Sequence, residues 1–574
     1  MLARSITRLP PRGIRGTRAI PRRPHSTART PPPPHLKTSA FLSIALLTSA
    51  YFVYQYESSA AKEITTSTPG GRPVSFLNGH RESKFQLNIQ TGRGVQSFEF
   101  DRKPDAQVER LIREHETSRS IRRTGNPVVR WDNNWVGSND PCEDRWSTDL
   151  VERNQTASER IRKVGSFWNA WFSGDEPSVG KDGAGKRDLI MFSIMDGHAG
   201  DATSTLLQKA LHPTIAVSLA NLQAGYAPHQ GIWSQWSGYL SPWYWLGTEK
   251  TWTPGNVSSA IQNAYLQLDE NICQTPVRLI PSLSEPTKDA SSPSAQQTLV
   301  ALAEPAASGA CAISTLVDAE NDDLYVALAG DCRAIAGWQG VDGKWRCDVL
   351  TEDQMGENPR EIERMRNEHP VSERETVIRN GRVQGGLQPT RAFGDAVYKW
   401  SNAEAAAIAG AFKSEGSKPR AGRPWNYTPP YVTARPEMTY RKLHPESGDR
   451  LKFIVMATDG LWDRITSEEA ALLTASYLSH PTRKPIPKTS LPKLFPLAPP
   501  LPPSERLYPA QELPQPEGET WVYEGDENAA THLIRNSLAG GDVNLRGELM
   551  SLSGKVSRWM RDDVTVSVVF FGDS

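Results

Sequence analysis

The chain has 574 residues and carries 65 Lys and Arg against 65 Asp and Glu, so its formal net charge is zero. This balance argues against a general nucleic-acid binder, which needs an excess of basic residues to neutralise phosphates, and we expect no nucleic-acid partner. The five cysteines include no C-x-x-C pair, so the sequence predicts neither a zinc site nor a disulfide framework.

The N-terminal region has the composition of a targeting segment. Residues 1–56 contain no acidic residue, and residues 1–37 carry eight arginines and one lysine. We therefore predict a mitochondrial presequence over 1–38, with a disordered basic tail as the alternative. Residues 39–56 are uncharged and apolar, and are either an inner-membrane anchor or part of a cleaved leader; a span ordinarily needs about 20 residues. Residues 57–96 are polar and are predicted to be a linker.

A globular domain is predicted over 97–574. Apolar residues at helical spacing predict helices in the stretch PDAQVERLIREH, over 151–172 and over 258–272. The stretch NPREIERMRNEH predicts a helix start, with Asn358 as the cap, Pro359 in the first turn and Glu361 completing a capping box.

The strand signals predict antiparallel pairing. In ACAISTLVDAENDDLYVALAGDCRAIAGW, short apolar runs are separated by turn-forming residues at 321–323 and at 330–331, which is typical of hairpins. The stretch VIRNGRV repeats this signal, with Asn380 and Gly381 as a two-residue turn.

Three stretches are predicted to be surface insertions. Residues 225–253 are rich in Trp and Tyr, residues 401–430 in Ala, Gly and Lys, and residues 480–518 in Pro, which is confined to the edges of sheets. The Trp-rich insertion is either a contact for a partner or a membrane, or a lid on its own domain.

Acidic residues stand at the ends of several predicted strands. LIMFSIM runs into Asp196, LYVALAG into Asp331 and LKFIVMAT into Asp459, while Asp562 and Asp563 precede VTVSVVFF. If the last strand is antiparallel to the others, its start lies at the same edge as their ends. The sequence therefore predicts a cluster of carboxylates at one edge of the structure.

Such a cluster predicts divalent cations. Two like charges about 4 Å apart repel by roughly 4 kcal/mol at an effective dielectric of 20, and bound cations remove this cost. Oxygen ligands without clustered His or Cys favour Mg²⁺ or Mn²⁺ over Zn²⁺. Asp196 is the natural bridging ligand of a two-metal site, the Gly197 carbonyl can turn toward a metal, and His198 stands where it can protonate a leaving oxygen. The alternative for His198 is an exposed turn residue.

Six stretches resemble, in family order, the motifs of the metal-dependent PP2C (PPM) serine/threonine protein phosphatases. They are EDR, MDGHAG, ALAGDCRA, GGLQPTRAFGD, VMATDGLWD and DDVTVSVVFF, and they extend over about residues 127–571. The resemblance implies an α+β fold, an α-β-β-α sandwich of two antiparallel sheets flanked by helices, with metals in a cleft at one end.

The resemblance also implies roles for individual residues. Two Mg²⁺ or Mn²⁺ ions are expected, and a third, weaker ion is linked to two further acids of the family. The implied metal ligands are Glu143, Asp144 (through bound water), Asp196, Gly197, Asp459 and Asp562, with Asp331 and Asp463 for the third ion. His198 matches the general acid.

One position near the end of the chain departs from the family pattern, and two others are given a supporting role. Asp563 competes with Asp562, because the last motif of the family usually reads Asp-Asn. Arg391 and Asp395 are expected to form an ion pair that supports the site.

An arginine that grips the substrate phosphate is common in the family four residues before the Glu-Asp pair, and here that position is Asn139. Phosphate binding must then rely on metal-bound water or on a basic residue such as Arg145. The stretches NDPCEDR and LTEDQMGENPREIERMRNEHP resemble the pyruvate dehydrogenase phosphatase branch, which is mitochondrial and so agrees with the N-terminal composition.

The sequence therefore predicts a mitochondrial protein phosphatase that acts on the E1α subunit of pyruvate dehydrogenase, in the matrix or at the inner membrane. A metal-activated water would attack phosphorus without a phospho-enzyme, and His198 would protonate the leaving oxygen. The alternatives are another mitochondrial phosphoprotein as substrate, including one in the intermembrane space, a pseudophosphatase scaffold, and a two-metal nuclease, which the neutral charge disfavours. No regulatory subunit is specified.

Overall fold

The fold is taken from a computed structural model, whose description covers part of the chain. The described residues are 84–91, 94–121, 123–138, 140–152, 187–223, 252–281, 295–412, 425–479, 485–498, 520–522 and 525–572. The predicted presequence, the apolar segment 39–56 and most of the predicted linker lie outside them.

The strands and helices are numbered here in chain order. The strands are β1 Lys84–Thr91, β2 Gly94–Asp101, β3 Thr117–Ser120, β4 Val128–Val136, β5 Arg145–Glu152, β6 Asp188–His198, β7 Gly309–Asp318, β8 Asp323–Ala329, β9 Arg333–Gln339, β10 Trp345–Val349, β11 Ile378–Arg379, β12 Arg382–Val383, β13 Phe393–Gly394, β14 Glu437–Lys442, β15 Arg450–Ala457, β16 Ile486–Pro487, β17 Thr520–Trp521 and β18 Val564–Phe571. The helices are α1 Asp105–Arg113, α2 Ala202–Gln223, α3 Pro254–Leu279, α4 Ala295–Ala307, α5 Pro359–Glu368, α6 Asn402–Ala411, α7 Asp459–Trp462, α8 Ser467–Ser479, α9 Leu491–Leu494, α10 Ala529–Ala539, α11 Val543–Ser551 and α12 Gly554–Met560.

Two antiparallel sheets form the centre of the fold. The first sheet has the strand order β10-β9-β15-β18-β4-β3, and the second has the order β14-β8-β7-β6-β5 with β13 added beside β7. Every pairing between neighbours in these two sheets is antiparallel. The predicted antiparallel organisation is therefore confirmed.

The central strands of both sheets, such as β7, β8 and β18, are buried on both faces, because each sheet packs against the other sheet on one side and against helices on the other. In β15, Ile454 and Met456 belong to the core between the sheets, whereas Phe453 and Val455 belong to the core beneath the helices of the first sheet. This alternation follows from the two-residue period of a strand.

Helices cover the outer face of each sheet. Helices α2 and α3 contribute Leu207, Leu211 and Ile261 to the core outside the second sheet, while α8 and α10 contribute Leu473 and Leu533 to the core outside the first. The predicted α-β-β-α sandwich is therefore confirmed.

The linker predicted over 57–96 is wrong from residue 84 onward. Strands β1 and β2 form an antiparallel hairpin there, with Phe85 stacked on Phe100 at 5.7 Å between ring centroids. The inner face of this hairpin packs on α11 and α12 through Leu549 and Val556. Its alternating aromatic and polar residues are a strand signal that the polar composition of the region concealed.

Parts of the three predicted insertions belong to the described residues. Of residues 225–253 only 252–253 are described, and the Thr253 side chain caps α3 by accepting a hydrogen bond from the Asn256 amide. Residues 401–430 contain α6, whose start has a capping box formed by Ser401 and Glu404. In 480–518 the described part is not a surface loop throughout, because Leu491 is buried in the core of the first sheet.

Several local predictions can be compared with the structure. Helix α3 includes 258–272, Asn358 caps α5, and residues 380–381 connect β11 to β12 as a two-residue turn. The helix predicted over 151–172 is wrong at its start, which belongs to β5, and its remainder lies outside the described residues. Glu361 does not complete a capping box, because its carboxylate pairs with Arg391.

All five cysteines are free thiols. Within the part of the chain that the structure describes, no helix combines the length and the apolarity that crossing a bilayer requires.

Candidate active site

The ends of five strands meet at one edge of the sandwich. In the second sheet, β6 ends at His198, which lies opposite Gly309 at the start of β7, and Asp331 follows the end of β8. In the first sheet, β15 ends two residues before Asp459, and Ala457 lies opposite Val566 near the start of β18. The predicted convergence of strand ends is therefore confirmed at the level of the backbone.

Three carboxylates form a tight cluster at this edge. Ligand atoms of Asp196, Asp331 and Asp459 all lie within 4.8 Å of one another, with Asp331 buried and the other two partly buried. Burial raises the pKa of Asp196 well above its ordinary value, and the charges of Asp459, Asp144 and Asp331 raise it further. Burial and neighbouring carboxylates act on Asp459 in the same way. The cluster therefore needs either protons or cations to be stable.

Asp144 lies beside this cluster. The residue is buried, and its Oδ2 accepts a hydrogen bond of 3.0 Å from the Thr458 hydroxyl. Burial and the charge of Asp563 together raise the pKa of Asp144 to about 7. Its own charge in turn raises the pKa of both Asp196 and Asp459.

Asp563 holds the loop that carries Glu143. Its carboxylate accepts hydrogen bonds from the Ser138 hydroxyl at 2.9 Å, from the Ser138 amide, and from the Glu143 amide at 2.8 Å. Because these bonds use both of its oxygens, Asp563 has a structural role here. Asp562 instead points toward Arg558, with which it forms an ion pair.

Gly197 allows the Glu143 loop to approach β6 closely. A Cβ atom at Gly197 would lie 2.3 Å from the Glu143 carbonyl oxygen, which is too close for any side chain. The Glu143 carboxylate accepts a hydrogen bond of 2.6 Å from the Gly200 amide. Glu143 is thereby fixed at the loop that follows His198.

Four acidic residues that are predicted to bind metal lie outside the cluster of three. Asp463 follows Asp459 by one helical turn and is exposed, though its charge raises the pKa of Asp459. Glu143, Asp144 and Asp562 have the other partners described above. Metal binding by these four residues, by Gly197 and by the three residues of the cluster stays a prediction.

His198 is paired with Asp395. Its Nε2 lies 2.6 Å from Asp395 Oδ2, and its side chain is 21% exposed. Burial alone would lower the pKa of His198, but the charge and the hydrogen bond of Asp395 outweigh burial and raise the pKa. The imidazole is thus held by a carboxylate at the edge of the cluster, rather than standing free as a turn residue.

The ion pair expected between Arg391 and Asp395 is therefore wrong. Arg391 donates instead to Glu361, with 2.6 Å between Nη2 and Oε1 and 3.1 Å between Nε and Oε2. Burial tends to raise the pKa of Glu361, but hydrogen bonds and charge from Arg391 and Arg364 lower it to about 2. The arginine of the TRAFGD stretch thus supports the fold, and its aspartate supports His198.

Arg145 is not a free phosphate-binding residue. Its Nη2 donates to Asp201 at 2.7 Å, and its Nη1 donates to the carbonyls of Cys142 and Asp144, each at 2.7 Å. These bonds fix the Glu-Asp loop to the start of α2. Asn139, where many family members have an arginine, lies outside the described residues.

Comparison with known proteins decides the family. Residues 251–485 match the family model described as protein phosphatase 2C. A protein phosphatase 2C homolog of Schizosaccharomyces pombe is 31% identical over 472 residues, which cover 81% of this chain and 85% of that protein. The mitochondrial pyruvate dehydrogenase (acetyl-transferring) phosphatase 1 of Saccharomyces cerevisiae is 31% identical over 568 residues, which cover 93% of this chain and 86% of that protein.

The chain belongs to the protein phosphatase 2C family. It is a PP2C-type protein serine/threonine phosphatase. Human mitochondrial pyruvate dehydrogenase (acetyl-transferring) phosphatase 2 is also similar, at 29% identity over 489 residues that cover 81% of this chain and 83% of that protein.

Sequence reasoning missed two residues that shape the active site of this PP2C phosphatase. The sequence predicts that Asp395 pairs with Arg391, although the position of Asp395 at the end of the TRAFGD stretch already indicates a role at the site. Gly309 carried no signal of its own, yet a Cβ there would lie 2.2 Å from both His198 Nε2 and Asp395 Oδ2. The His198–Asp395 pair therefore requires a glycine at the start of β7.

Proposed function

We propose that this PP2C phosphatase is mitochondrial, uses two Mg²⁺ or Mn²⁺ ions, and dephosphorylates the E1α subunit of pyruvate dehydrogenase. The convergence of Asp196, Asp331 and Asp459 supports the use of metal ions. The substrate and the compartment are supported by similarity to mitochondrial pyruvate dehydrogenase phosphatases over most of the chain. The acid-free, arginine-rich N-terminal region agrees with import into mitochondria.

The donor set of the cluster fits hard divalent cations. Its three side chains offer only carboxylate oxygens, which Mg²⁺ and Mn²⁺ prefer over Zn²⁺. Burial and then repulsion from neighbouring carboxylates raise the pKa of Asp196 and Asp459, and bound cations would relieve the repulsion. When bound, such ions neutralise the carboxylates and lower the pKa of a water molecule, so that the water can serve as the nucleophile.

The proposed roles extend from the cluster to the residues around it. Asp196 would hold both ions, and Glu143, the Gly197 carbonyl, Asp459 and Asp562 are the other residues proposed to hold them. Asp144 would accept a hydrogen bond from water, a role that suits its buried carboxylate. Asp331 and Asp463 are the proposed ligands of a third, weaker ion.

His198 is the proposed general acid. Asp395 accepts a hydrogen bond from the Nε2–H group and stabilises the charged imidazolium, so that the Nδ1 proton can pass to the departing side-chain oxygen of the substrate. The raised pKa of His198 favours the protonated form that this role requires.

A covalent phospho-enzyme is not part of this proposal. Burial raises the pKa of the Cys311 and Cys332 thiols, which lie near the carboxylates, well above the ordinary range, and the charges of Asp331 and Asp196 raise it further. Both thiols therefore stay protonated and are poor nucleophiles.

The proposal is tested by incubating the purified full chain with phosphorylated pyruvate dehydrogenase complex and measuring phosphate release from E1α. We expect release with Mg²⁺ or Mn²⁺, none with chelator, and none from Asp196→Asn. Recovery with zinc alone would contradict the ligand argument. Hydrolysis of p-nitrophenyl phosphate without action on E1α would instead favour another mitochondrial phosphoprotein as substrate.

The compartment is tested separately with a C-terminally tagged chain. Tagged protein that resists added protease in intact mitoplasts, and is degraded after detergent, would support the matrix. Degradation in mitoplasts without detergent would support the intermembrane space, and absence from mitochondria would contradict the proposed localisation.

A further inference from the structure

Asp395, which holds His198, follows a strand of only two residues. This strand, β13, consists of Phe393 and Gly394 and pairs with the start of β7, where the Asp395 amide also donates to the Ser308 carbonyl at 2.8 Å. Gly394 has a φ of 67° and Asp395 a φ of 48°, in the left-handed region that residues with a side chain seldom adopt. Such a backbone conformation persists only where the surrounding structure fixes it. The segment therefore needs anchors beyond this short pairing.

Helix α3 supplies anchors along one of its faces. Tyr265, Asp269 and Cys273 are buried and follow one another at intervals of four residues, so they lie on the same face of the helix. The Tyr265 ring packs against Phe393 with 5.0 Å between ring centroids. The Cys273 carbonyl accepts a hydrogen bond of 2.8 Å from the Trp400 indole. These two contacts hold the segment at both ends, and Asp269 lies between them.

Asp269 contacts the backbone directly before Asp395. Its Oδ1 accepts a hydrogen bond of 2.9 Å from the Gly394 amide. Lys399 Nζ donates to both oxygens of Asp269, each at 2.7 Å, and to the Ala392 carbonyl at 2.8 Å. The ion pair of Asp269 and Lys399 thus connects positions on both sides of Asp395.

This ion pair is almost completely buried. The Asp269 side chain is 10% exposed and the Lys399 side chain is 7% exposed. Taking two charges out of water costs solvation free energy that their attraction only offsets, so a buried pair of this kind adds little net stability. A fixed position for the Gly394 amide, by contrast, requires an acceptor at this point, which an apolar side chain does not provide. The pair is therefore better suited to fixing a geometry than to stabilising the fold.

We propose that Asp269, together with Lys399, is a positioning residue for general acid catalysis. It fixes the backbone at Gly394 so that Asp395 Oδ2 stays 2.6 Å from His198 Nε2. The inference rests on the proposed function, in which His198 protonates the leaving oxygen. Asp269 acts through Asp395 and need not touch the substrate.

The inference is tested with Asp269→Asn, which keeps the size of the side chain and removes the charge that holds Lys399. The measurement is kcat and KM at saturating Mn²⁺ for a phosphoserine peptide and for p-nitrophenyl phosphate. We expect kcat for the peptide to fall by about 10-fold, because misplacing the general acid slows departure of an alkoxide. For the aryl phosphate kcat should stay within about twofold of the parent, and so should both KM values. Equal slowing of the two substrates would overturn the proposal.

The variant Asp188→Asn is the matched control. Asp188 lies at the other end of β6 from His198, and its fully buried carboxylate pairs with Arg123 at 2.7 Å. Both substitutions remove a charge that faces a buried cation, so both variants should unfold at a lower temperature than the parent. We expect Asp188→Asn to keep the parent's ratio of the two kcat values. The same fall in this ratio in both variants would show that a general loss of packing causes it, and would overturn the proposal.

A double variant shows whether Asp269 acts through His198. In the background of His198→Ala, Asp269→Asn should not change the ratio of the two kcat values further, because the general acid is already absent. A further fall of about 10-fold would show that Asp269 acts elsewhere and would overturn the proposal. If Asp269→Asn does not fold, Asp269→Glu decides, because it keeps the charge near Lys399 and shifts the carboxylate by one methylene. A ratio equal to that of the parent in that variant would contradict the proposal.

The same measurements separate this inference from the wider proposal. If His198→Ala slows the peptide selectively and Asp269→Asn does not, the inference about Asp269 fails alone. If His198→Ala slows both substrates equally, His198 is not the general acid and the inference fails with it. A parent enzyme that hydrolyses the peptide and the aryl phosphate but ignores E1α contradicts only the proposed substrate, and the result for Asp269 stands.

Discussion

The imidazole of His198 is oriented by a carboxylate from a distant segment of the chain. Asp395 lies 197 positions later, with Oδ2 2.6 Å from His198 Nε2, and its own amide donates to the Ser308 carbonyl at 2.8 Å. The backbone of Asp395 is thus anchored next to the start of β7, and its carboxylate contacts the histidine. Such a pair keeps the ring in one orientation and stabilises its charged form.

The role of His198 can be separated from simple binding by the choice of leaving group. We expect His198→Ala to slow hydrolysis of a phosphoserine peptide by about 100-fold or more, because an alkoxide is a poor leaving group that needs a proton. Hydrolysis of p-nitrophenyl phosphate should fall far less, because its phenolate leaves readily without one. The measurement is kcat for both substrates at saturating Mn²⁺.

The variant Asp395→Asn is the matched control for this prediction. It keeps the size of the side chain but weakens its hold on the charged imidazole, so it should show the same preference for the aryl substrate to a smaller degree. Equal slowing of both substrates by His198→Ala would remove His198 from the role of general acid.

At the scale of elements, the helices outside the first sheet bury ionisable groups. All residues of α10 from Ala529 to Ala539 are buried, including His532 and Arg535. Arg535 pairs with Asp526, with 2.9 Å between Nη2 and Oδ1. Burial lowers the pKa of His532 to about 4, and Asp526 offsets this effect only in part.

The lowered pKa of His532 predicts that the protein loses stability in mild acid. Between pH 6.5 and about 4 the unfolded chain binds a proton at this residue and the folded chain does not. The free energy of unfolding therefore falls with pH by about 1.4 kcal/mol per unit in this range, and the full contribution is about 3 kcal/mol. Above pH 6.5 His532 is neutral in both states, and its full contribution to the free energy of unfolding is present.

The measurement is urea unfolding of the parent and His532→Gln at pH 7.5 and pH 5.0. We expect the parent to lose about 2 kcal/mol more than the variant between these two values, because glutamine does not titrate. Equal losses in the two proteins would show that His532 is protonated without cost in the folded state.

At the scale of the whole molecule, the carboxylate cluster connects the two sheets. Asp196 and Asp331 come from the second sheet and Asp459 comes from the end of β15 in the first. Their repulsion acts across the sandwich, so removal of cations should weaken the packing of one sheet on the other. Catalysis and stability are therefore coupled at this edge.

This coupling predicts opposite effects of one substitution on activity and on stability. Asp196→Asn should abolish turnover, yet raise the free energy of unfolding of the chelated protein by an amount on the order of 1 kcal/mol, because one repelling charge is lost. Mn²⁺ at about 100 times its dissociation constant should stabilise the parent by about 2.7 kcal/mol, and the variant by less. Thermal unfolding of both proteins with chelator and with Mn²⁺ checks both statements. If Asp196→Asn is less stable than the parent in chelator, the repulsion argument is contradicted.

The sequence by itself determined the antiparallel strands and the residues at their ends. Turn residues such as Asn380 and Gly381 and the two-residue period of strands are local features, and they act within a few positions. Because antiparallel strands bring ends and starts to one edge, the meeting of Asp196, Asp331 and Asp459 followed from that local pattern. The hairpin of β1 and β2 was equally local, and polar composition alone led to the linker prediction there.

Only the tertiary structure decided which charged groups pair with each other. Arg391 meets Glu361 rather than Asp395, Asp395 meets His198, and Asp563 holds the Glu143 loop while Asp562 faces Arg558. Several acids and bases of each stretch are within a few residues of one another, so sequence spacing cannot distinguish among them. Their partners are chosen by the packing of segments that lie far apart in the chain, where a difference of one residue turns a carboxylate from the protein interior toward the site.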